Sequence, residues 1–327
     1  MIIFSAATTA RRLAAVMALT TALLVALAAC TSEGSASVTP RPTASRAPSP
    51  QSTAATSASC TSSSALVIGV KVDQYGTGYL DVRNYSYSGF DVAIAGKIAS
   101  AVFHVNLPYF LPVTSDTREE ALSSCAVRFF VATYTSDTQR QQEFDIAAPY
   151  LVTFQGVMVG PKSPRIQTAG DLNGKTVCTV GGGSEAASIL MRYAPRSIPV
   201  MRPTYSDCLS LLRQGDVEAF STDLAILYGY LNDPADAGSH LSIVANLTLG
   251  NPIFYGVAFR KSDHQLCLAA ANEIKALVDD GVWPGIFSAN LGNYNVGQWS
   301  TGLSPEPTDQ EIQDNSCKTP PPGTPQG

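Results

Sequence analysis

A chain of 327 residues with 21 Lys and Arg against 26 Asp and Glu carries a formal net charge of −5. No basic run interrupts that balance, which argues against a nucleic-acid partner. Only three His are present and no two Cys are closely spaced, so neither a zinc centre nor any other cofactor is expected.

Arg11 and Arg12 precede a continuous apolar stretch over residues 13–29, which ends in Leu27, Ala28 and Ala29 before Cys30. A basic head, an apolar middle and small residues at the cut describe a secretory signal over residues 1–29. A Cys directly after them resembles the bacterial lipobox, whose thiol receives a diacylglycerol. Cys30 is therefore the expected lipidation site, and it would hold the exported protein on the outer face of the cytoplasmic membrane. The arginine pair leaves the general and twin-arginine routes both open. Residues 30–64 are almost all Ser, Thr, Ala and Pro and cannot bury enough surface to offset ordering entropy, so they read as a tether. Residues 304–327, with Pro305, Pro307 and the prolines at 320–322, read as a disordered tail. No further apolar span is long enough to cross a membrane. Setting Cys30 aside leaves six Cys, an even set that suits disulfides in an exported protein. Cys178 and Cys208, one on an expected strand and one at a helix start, are the favoured pair. Cys60 with Cys125 and Cys267 with Cys317 follow only by elimination.

Between the tether and the tail, apolar runs alternate in type. Residues 65–72 (ALVIGVKV) read as a strand. Phe90, Ile94, Ile98 and Val102 then recur every four residues and predict a helix. Residues 105–111 and 127–132 read as strands, separated by a helix whose start at Asp116 and Glu119 resembles a capping box. The alternation resumes with strands at 156–160 and 175–180 and a helix opened by Gly181, Gly182, Gly183 and Ser184. A strand ending at Met201 leads to a helix capped by Ser206 or Asp207. The strand at 218–222 runs into a helix from Asp223. Strands at 241–244 and 256–260 precede a long helix that starts at Ser262 and Asp263 and stops near Gly281. The class is α/β with a mainly parallel sheet.

Ligands of such sheets bind at strand C-termini and helix N-termini, which singles out four places. Lys71 ends the first strand, where a solvated surface charge is the plainer reading. Arg140 carries a planar fork able to grip a carboxylate through two hydrogen bonds, although a surface ion pair with Glu143 or Asp145 would serve equally well. Gly183 and Ser184 offer free N–H groups at a helix start. Asp223 stands where a strand meets a helix, and is a good N-cap in any case.

Six runs in register carry a family likeness: 89–99 (GFDVAIAGKIA), 132–140 (ATYTSDTQR), 144–150 (FDIAAPY), 171–177 (DLNGKTV), 219–231 (AFSTDLAILYGYL) and 254–261 (FYGVAFRK). Together, over about residues 65–295, they resemble the polar amino-acid substrate-binding proteins of ABC transporters, and most of all the glutamate-binding lipoproteins of actinobacteria. The resemblance implies a two-lobed type II periplasmic-binding fold with a ligand cleft between the lobes and a two-segment hinge. One lobe would comprise 65–153 and 254–300, the other 156–251, with hinge crossings near 150–155 and 251–255. It further implies that Arg140 grips the ligand α-carboxylate beside Thr135 and the Thr133 backbone. Gly183 and Ser184 would meet the same carboxylate across the cleft, Asp223 would take the α-ammonium, and Lys71 and Ser115 would read the ligand side chain. Gln139 departs from a common Glu, and Thr133 from a glycine common in glutamine binders.

The expected function is capture of a polar or acidic L-amino acid by a monomeric receptor and its delivery to the permease subunits of an ABC transporter. Glutamate is the first choice, then aspartate or glutamine. A sensor signalling through a membrane partner is the alternative. An enzyme resembling cyclohexadienyl dehydratase is disfavoured, because no Ser/His/Asp or metal constellation stands in the chain.

Overall fold

The computed structural model describes Cys60, residues 65–292 and residues 304–318. The signal segment, Cys30, the rest of the tether and residues 319–327 lie outside the described residues, as do 293–303.

The chain opens with β1 (Val67–Val70), whose residues are buried from Ile68 onward. A small antiparallel sheet follows, formed by β2 (Asp73–Gln74), β3 (Gly78–Asp81) and β4 (Ser86–Ser88). α1 (Phe90–Phe103) turns its predicted stripe inward: Phe90, Ile94 and Ile98 are fully buried, and Val102 packs on the same core. At its end His104 adopts a left-handed backbone and returns its N–H to the Ala99 carbonyl.

β5 (Tyr109–Pro112), α2 (Arg118–Ser123), β6 (Phe129–Thr135), α3 (Thr138–Glu143) and β7 (Phe144–Val159) come next. The capping box expected from Asp116 and Glu119 is not made. Thr117 is the N-cap and donates no side-chain cap, while Glu119 accepts from the Tyr134 hydroxyl at 2.8 Å. β7 is buried along its whole length except Val159, so the strand expected at 156–160 is the far end of one long strand.

The second half contains β8 (Thr176–Val180), α4 (Ala186–Tyr193), β9 (Ile198–Arg202), α5 (Tyr205–Gln214), β10 (Ala219–Asp223), α6 (Leu224–Leu231), β11 (Ser242–Ile243) and β12 (Leu249–Arg260). α5 is capped two residues before Ser206, the nearer expected cap, by Thr204 accepting from the Asp207 N–H, and is closed by left-handed Gly215. α7 (His264–Asp279) and α8 (Trp283–Leu291) complete the return.

The principal sheet runs β5-β1-β6-β12-β7-β10-β8-β9, with β11 on β7. It is mixed, not mainly parallel. β1 lies parallel to β5 and β6, and β8 lies parallel to β10 and β9. Joining these two triplets is the antiparallel pair of long strands β7 and β12. Each half follows the strand–helix alternation of the sequence, and only the two return strands reverse direction. Three apolar clusters fill the interior, one around Phe130 and Tyr134, one around Leu172 and Val177, and the largest shared along β7 and β12.

The tail expectation is overturned for residues 304–318. α9 (Asp309–Asn315) is held by a reciprocal box in which Thr308 accepts from Glu311 N–H and Glu311 accepts from Thr308 N–H, and Ile312 is buried. The segment lies along β7: Val152 donates to the Pro305 carbonyl, Cys317 donates to Ile146, and Ser316 bonds both backbone groups of Ala148. Proline-rich composition masked an amphipathic turn that needs the rest of the fold to bury Ile312 and Cys317. Disulfides join Cys60 to Cys125, Cys178 to Cys208 and Cys267 to Cys317, and the last pins this strap to α7.

Candidate functional site

The site collects at the C-terminal ends of β1, β6 and β10 and at the turn before α4. Lys71 follows β1 and is 1% exposed, a cation taken almost wholly out of water. Its ammonium donates to Ser115 Oγ at 2.7 Å and lies 5.2 Å from the centre of the Tyr205 ring. Burial draws its pKa well below the usual lysine value; Arg118 adds to the effect, and Asp73, Asp91 and Asp116 oppose it. The structure therefore assigns Lys71 to the interior of the crevice rather than to the surface.

Arg118, which the sequence reading passed over, is equally buried. Its guanidinium donates to the carbonyls of Ala132 at 2.7 Å, Thr133 at 3.2 Å and Gly183 at 2.6 Å, while its Nε has no partner. No ion pair to a carboxylate is formed by either Lys71 or Arg118 among the described residues. A buried, uncompensated cation costs several kcal/mol, on the order of 3–5.

Arg140, on α3, donates to the Thr135 carbonyl at 3.1 Å and to the Gly183 carbonyl at 2.8 Å. It also faces Glu185 Oε1 at 3.1 Å, Asp137 at 3.6 Å and Glu119 at 3.7 Å. Neither Glu143 nor Asp145 pairs with it; Asp145 instead holds Lys261 and His264. The Arg118 and Arg140 guanidiniums both lie against the Tyr134 ring, 4.6 and 4.4 Å from its centre.

Thr133 has φ +46, a left-handed backbone unusual for a β-branched residue, and its N–H donates to Asp91 at 2.8 Å. Asp91 is fully buried and also accepts from Tyr150; burial pushes it up to about 6. Thr135 reaches the site through its carbonyl alone.

From the second half, Gly183 presents its carbonyl to both arginines. A Cβ at Gly183 would overlap the Ser115 carbonyl, and one at Gly182 the Asp116 carboxylate, so both positions require glycine for this close approach as well as for positive φ. Tyr205 completes the bridge: its hydroxyl stands 3.4 Å from both Ser115 and Ser184 oxygens, and its backbone N–H donates to Asp73. Asp223 is the N-cap of α6 yet makes no cap bond; its carboxylate accepts from Tyr255. Burial pushes Asp223 up to about 6, opposed by Tyr255 and then by Arg118, Arg140 and Lys71.

Lys71, Ser115, Thr133, Thr135, Arg140, Gly183, Ser184 and Asp223 thus fall in one connected neighbourhood, together with Arg118, Tyr205, Glu185, Asp91 and Tyr255, which were not singled out from sequence. Arg118 stands three residues after Ser115, as the first residue of α2. Among the described residues no cluster of His, Cys, Asp and Glu is arranged to hold a metal.

Two α/β halves joined by a pair of long strands, with charged groups of both halves facing one crevice, define the two-lobed type II periplasmic-binding fold. The family model for bacterial extracellular solute-binding proteins, family 3, matches residues 66–293, and the chain belongs to that family. The glutamate-binding protein GluB of Corynebacterium glutamicum is 29% identical over 239 residues, which cover 70% of this chain and 79% of that protein. The ABC transporter glutamine-binding protein GlnH of Bacillus subtilis is 28% identical over 224 residues, 68% of this chain and 79% of that one. Among solved structures, an ancestral arginine-binding protein bound to glutamine has a TM-score of 0.62 at 26% identity, covering 70% of this chain and 98% of its own. A solute receptor for L-cysteine from Neisseria gonorrhoeae shares the fold with a TM-score of 0.62 at 23% identity, over 74% of this chain and 94% of its own.

Proposed function

We propose that this protein is an exported receptor for an acidic L-amino acid, with glutamate as its first ligand, which it delivers to the permease of an ABC transporter. The observation that carries the reading is the pair of buried cations, Lys71 and Arg118, without carboxylate partners and beside Arg140. An α-amino acid needs one anion site and one cation site held apart. Arg140 with the Gly183–Ser184 turn serves the α-carboxylate, and Asp223 serves the α-ammonium. The additional cations then match a side-chain carboxylate, with Lys71 and Ser115 reading it and Arg118 reinforcing the positive field. A neutral side chain would leave those charges uncompensated, a penalty of several kcal/mol. Relatives named for glutamate and glutamine support the ligand class.

The lobes in this reading comprise 65–153 with 254–300, and 156–251, hinged where β7 and β12 pass between them. Cys30 carries the lipid, and a tether of about 34 residues spans roughly 30 Å as a coil, taking 5–6 Å times the square root of its length. That distance keeps a monomeric receptor near its permease. Isothermal titration with glutamate, aspartate, glutamine and arginine tests the ligand. Glutamate is expected to bind tightest, and equal affinity for glutamine would sink the assignment to an acidic ligand. Cys30→Ala is expected to leave affinity intact and to reduce uptake by cells; unchanged uptake would remove the anchor from the mechanism.

A further inference from the structure

Glu185 stands immediately before α4, at the edge of the second half, and points at the ligand-gripping arginine of the first. Its Oε1 lies 3.1 Å from Arg140 Nη1. Its carboxyl also hydrogen-bonds the Asp137 carboxylate, the N-cap of α3, whose other role is to accept from the Arg140 N–H. Arg140 also donates through Nη1 to Thr135 and through Nη2 to Gly183. A ligand α-carboxylate seeking the guanidinium fork therefore meets a carboxyl group of the protein in the place it needs.

We propose that Glu185 is a built-in competitor for Arg140, a residue that the ligand carboxylate must displace. The inference rests on the reading of Arg140 as the α-carboxylate site.

Two carboxyl groups in hydrogen-bond contact hold one proton between them. Here Glu185 carries it. Burial, the contact with Asp137 and the charge of Asp223 push Glu185 up to about 8 against the opposing pull of Arg140, whereas Asp137 is lowered. The protonated carboxyl donates to Asp137 and accepts from Arg140. Once displaced into water, Glu185 returns towards its ordinary value of 4.5 and releases its proton. Binding that expels this proton strengthens as pH rises between 4.5 and about 8, by up to about tenfold per unit. Asp223 also titrates with ligand, losing a proton below about 6, so the comparison is made between variants.

The test is titration calorimetry of the full soluble chain at pH 6.5 to 8.5 in buffers of different ionisation heat, with the same four amino acids as probes. Glu185→Gln mimics the protonated carboxyl and keeps both contacts but has no proton to release, so its affinity for the preferred probe is expected to fall behind that of wild type as pH rises from 6.5 to 8, with up to one proton fewer released. Glu185→Ala removes the competitor and is expected to bind roughly two- to fivefold tighter, with the same loss of proton release. Asp137→Asn keeps the helix cap but breaks the shared proton, and is expected to lose proton release as well. Equal proton release by wild type and Glu185→Gln overturns the proposal, as does weaker binding by Glu185→Ala, which would make Glu185 a closing contact instead. If the preferred probe is glutamine or arginine, the acidic-ligand reading fails while the competitor is still tested. If no probe binds wild type, both fail.

Discussion

The two halves bring different groups to the site, and the buried cations all come from the first. The first half brings Lys71, Arg118 and Arg140, of which two are fully buried and lack carboxylate partners. The second half brings Asp223, Glu185, the Gly183 carbonyl and the Tyr205 hydroxyl, all oxygen. The first half also holds Asp73, Asp91 and Asp116 around Lys71, and Glu119 and Asp137 beside Arg140. Contact between the halves adds a further partner, because Gly183 accepts from both arginines. Under the proposed function, a zwitterionic ligand with an extra carboxylate would supply further partners for Lys71, Arg118 and Arg140.

Removing the fork should break this division most completely. Arg140→Ala is expected to lower affinity for every α-amino acid by at least ~100-fold, since a charge-assisted bidentate contact disappears and its anion is left buried; calorimetry reads it directly. Lys71→Met sharpens the contrast within the first half. Glutamate affinity should fall ~10- to 100-fold while glutamine affinity changes little, and parallel losses for both ligands would deny Lys71 a part in selectivity. In the second half, Asp223→Asn keeps an acceptor for Tyr255 but removes the counter-charge, so a loss of about tenfold is expected for all amino acids.

The smallest expected effect is on stability. Asp91 and Asp223 are raised from 3.8 to about 6, so the folded state binds their protons more tightly than the unfolded chain does. Their contribution is fully present below pH 3.8 and is lost as pH rises through 6. Denaturant titrations between pH 4 and 7 should show wild type losing stability relative to Asp91→Asn across that window. A difference that stays constant with pH would mean that Asp91 is charged in both states.

Much of this arrangement was legible in the chain. The four-residue spacing of Phe90, Ile94 and Ile98 marked the buried face of α1, because a helix repeats its surface nearly every fourth residue. The family runs contain Arg140 and Asp223, the Gly183 turn followed from a glycine run at a strand–helix boundary, and the structure brings Arg140 against the Gly183 carbonyl. The small sheet β2-β3-β4 was not legible, since strands of two to four residues carry too little periodicity. Nor was the reversal of β7 and β12, because pairing direction is a tertiary choice that alternation does not encode. Arg118 was hidden within a stretch read only as a helix start, and nothing in its neighbours signals that it turns inward. Residues 304–318 were misread for a related reason. Their prolines exclude a long helix, but a turn and a half with a capping box at Thr308 and Glu311 needs only seven residues and a wall to lean on.

That wall is the side of β7 left unpaired by the sheet over residues 146–152, where Pro305, Ser316 and Cys317 take up its backbone groups. An uncovered stretch of buried, β-rich backbone is a template onto which a second chain can add as a strand. By clamping its own C-terminal segment there with a disulfide, the molecule denies that template to its neighbours. The bond between Cys267 and Cys317 ties that cover to α7.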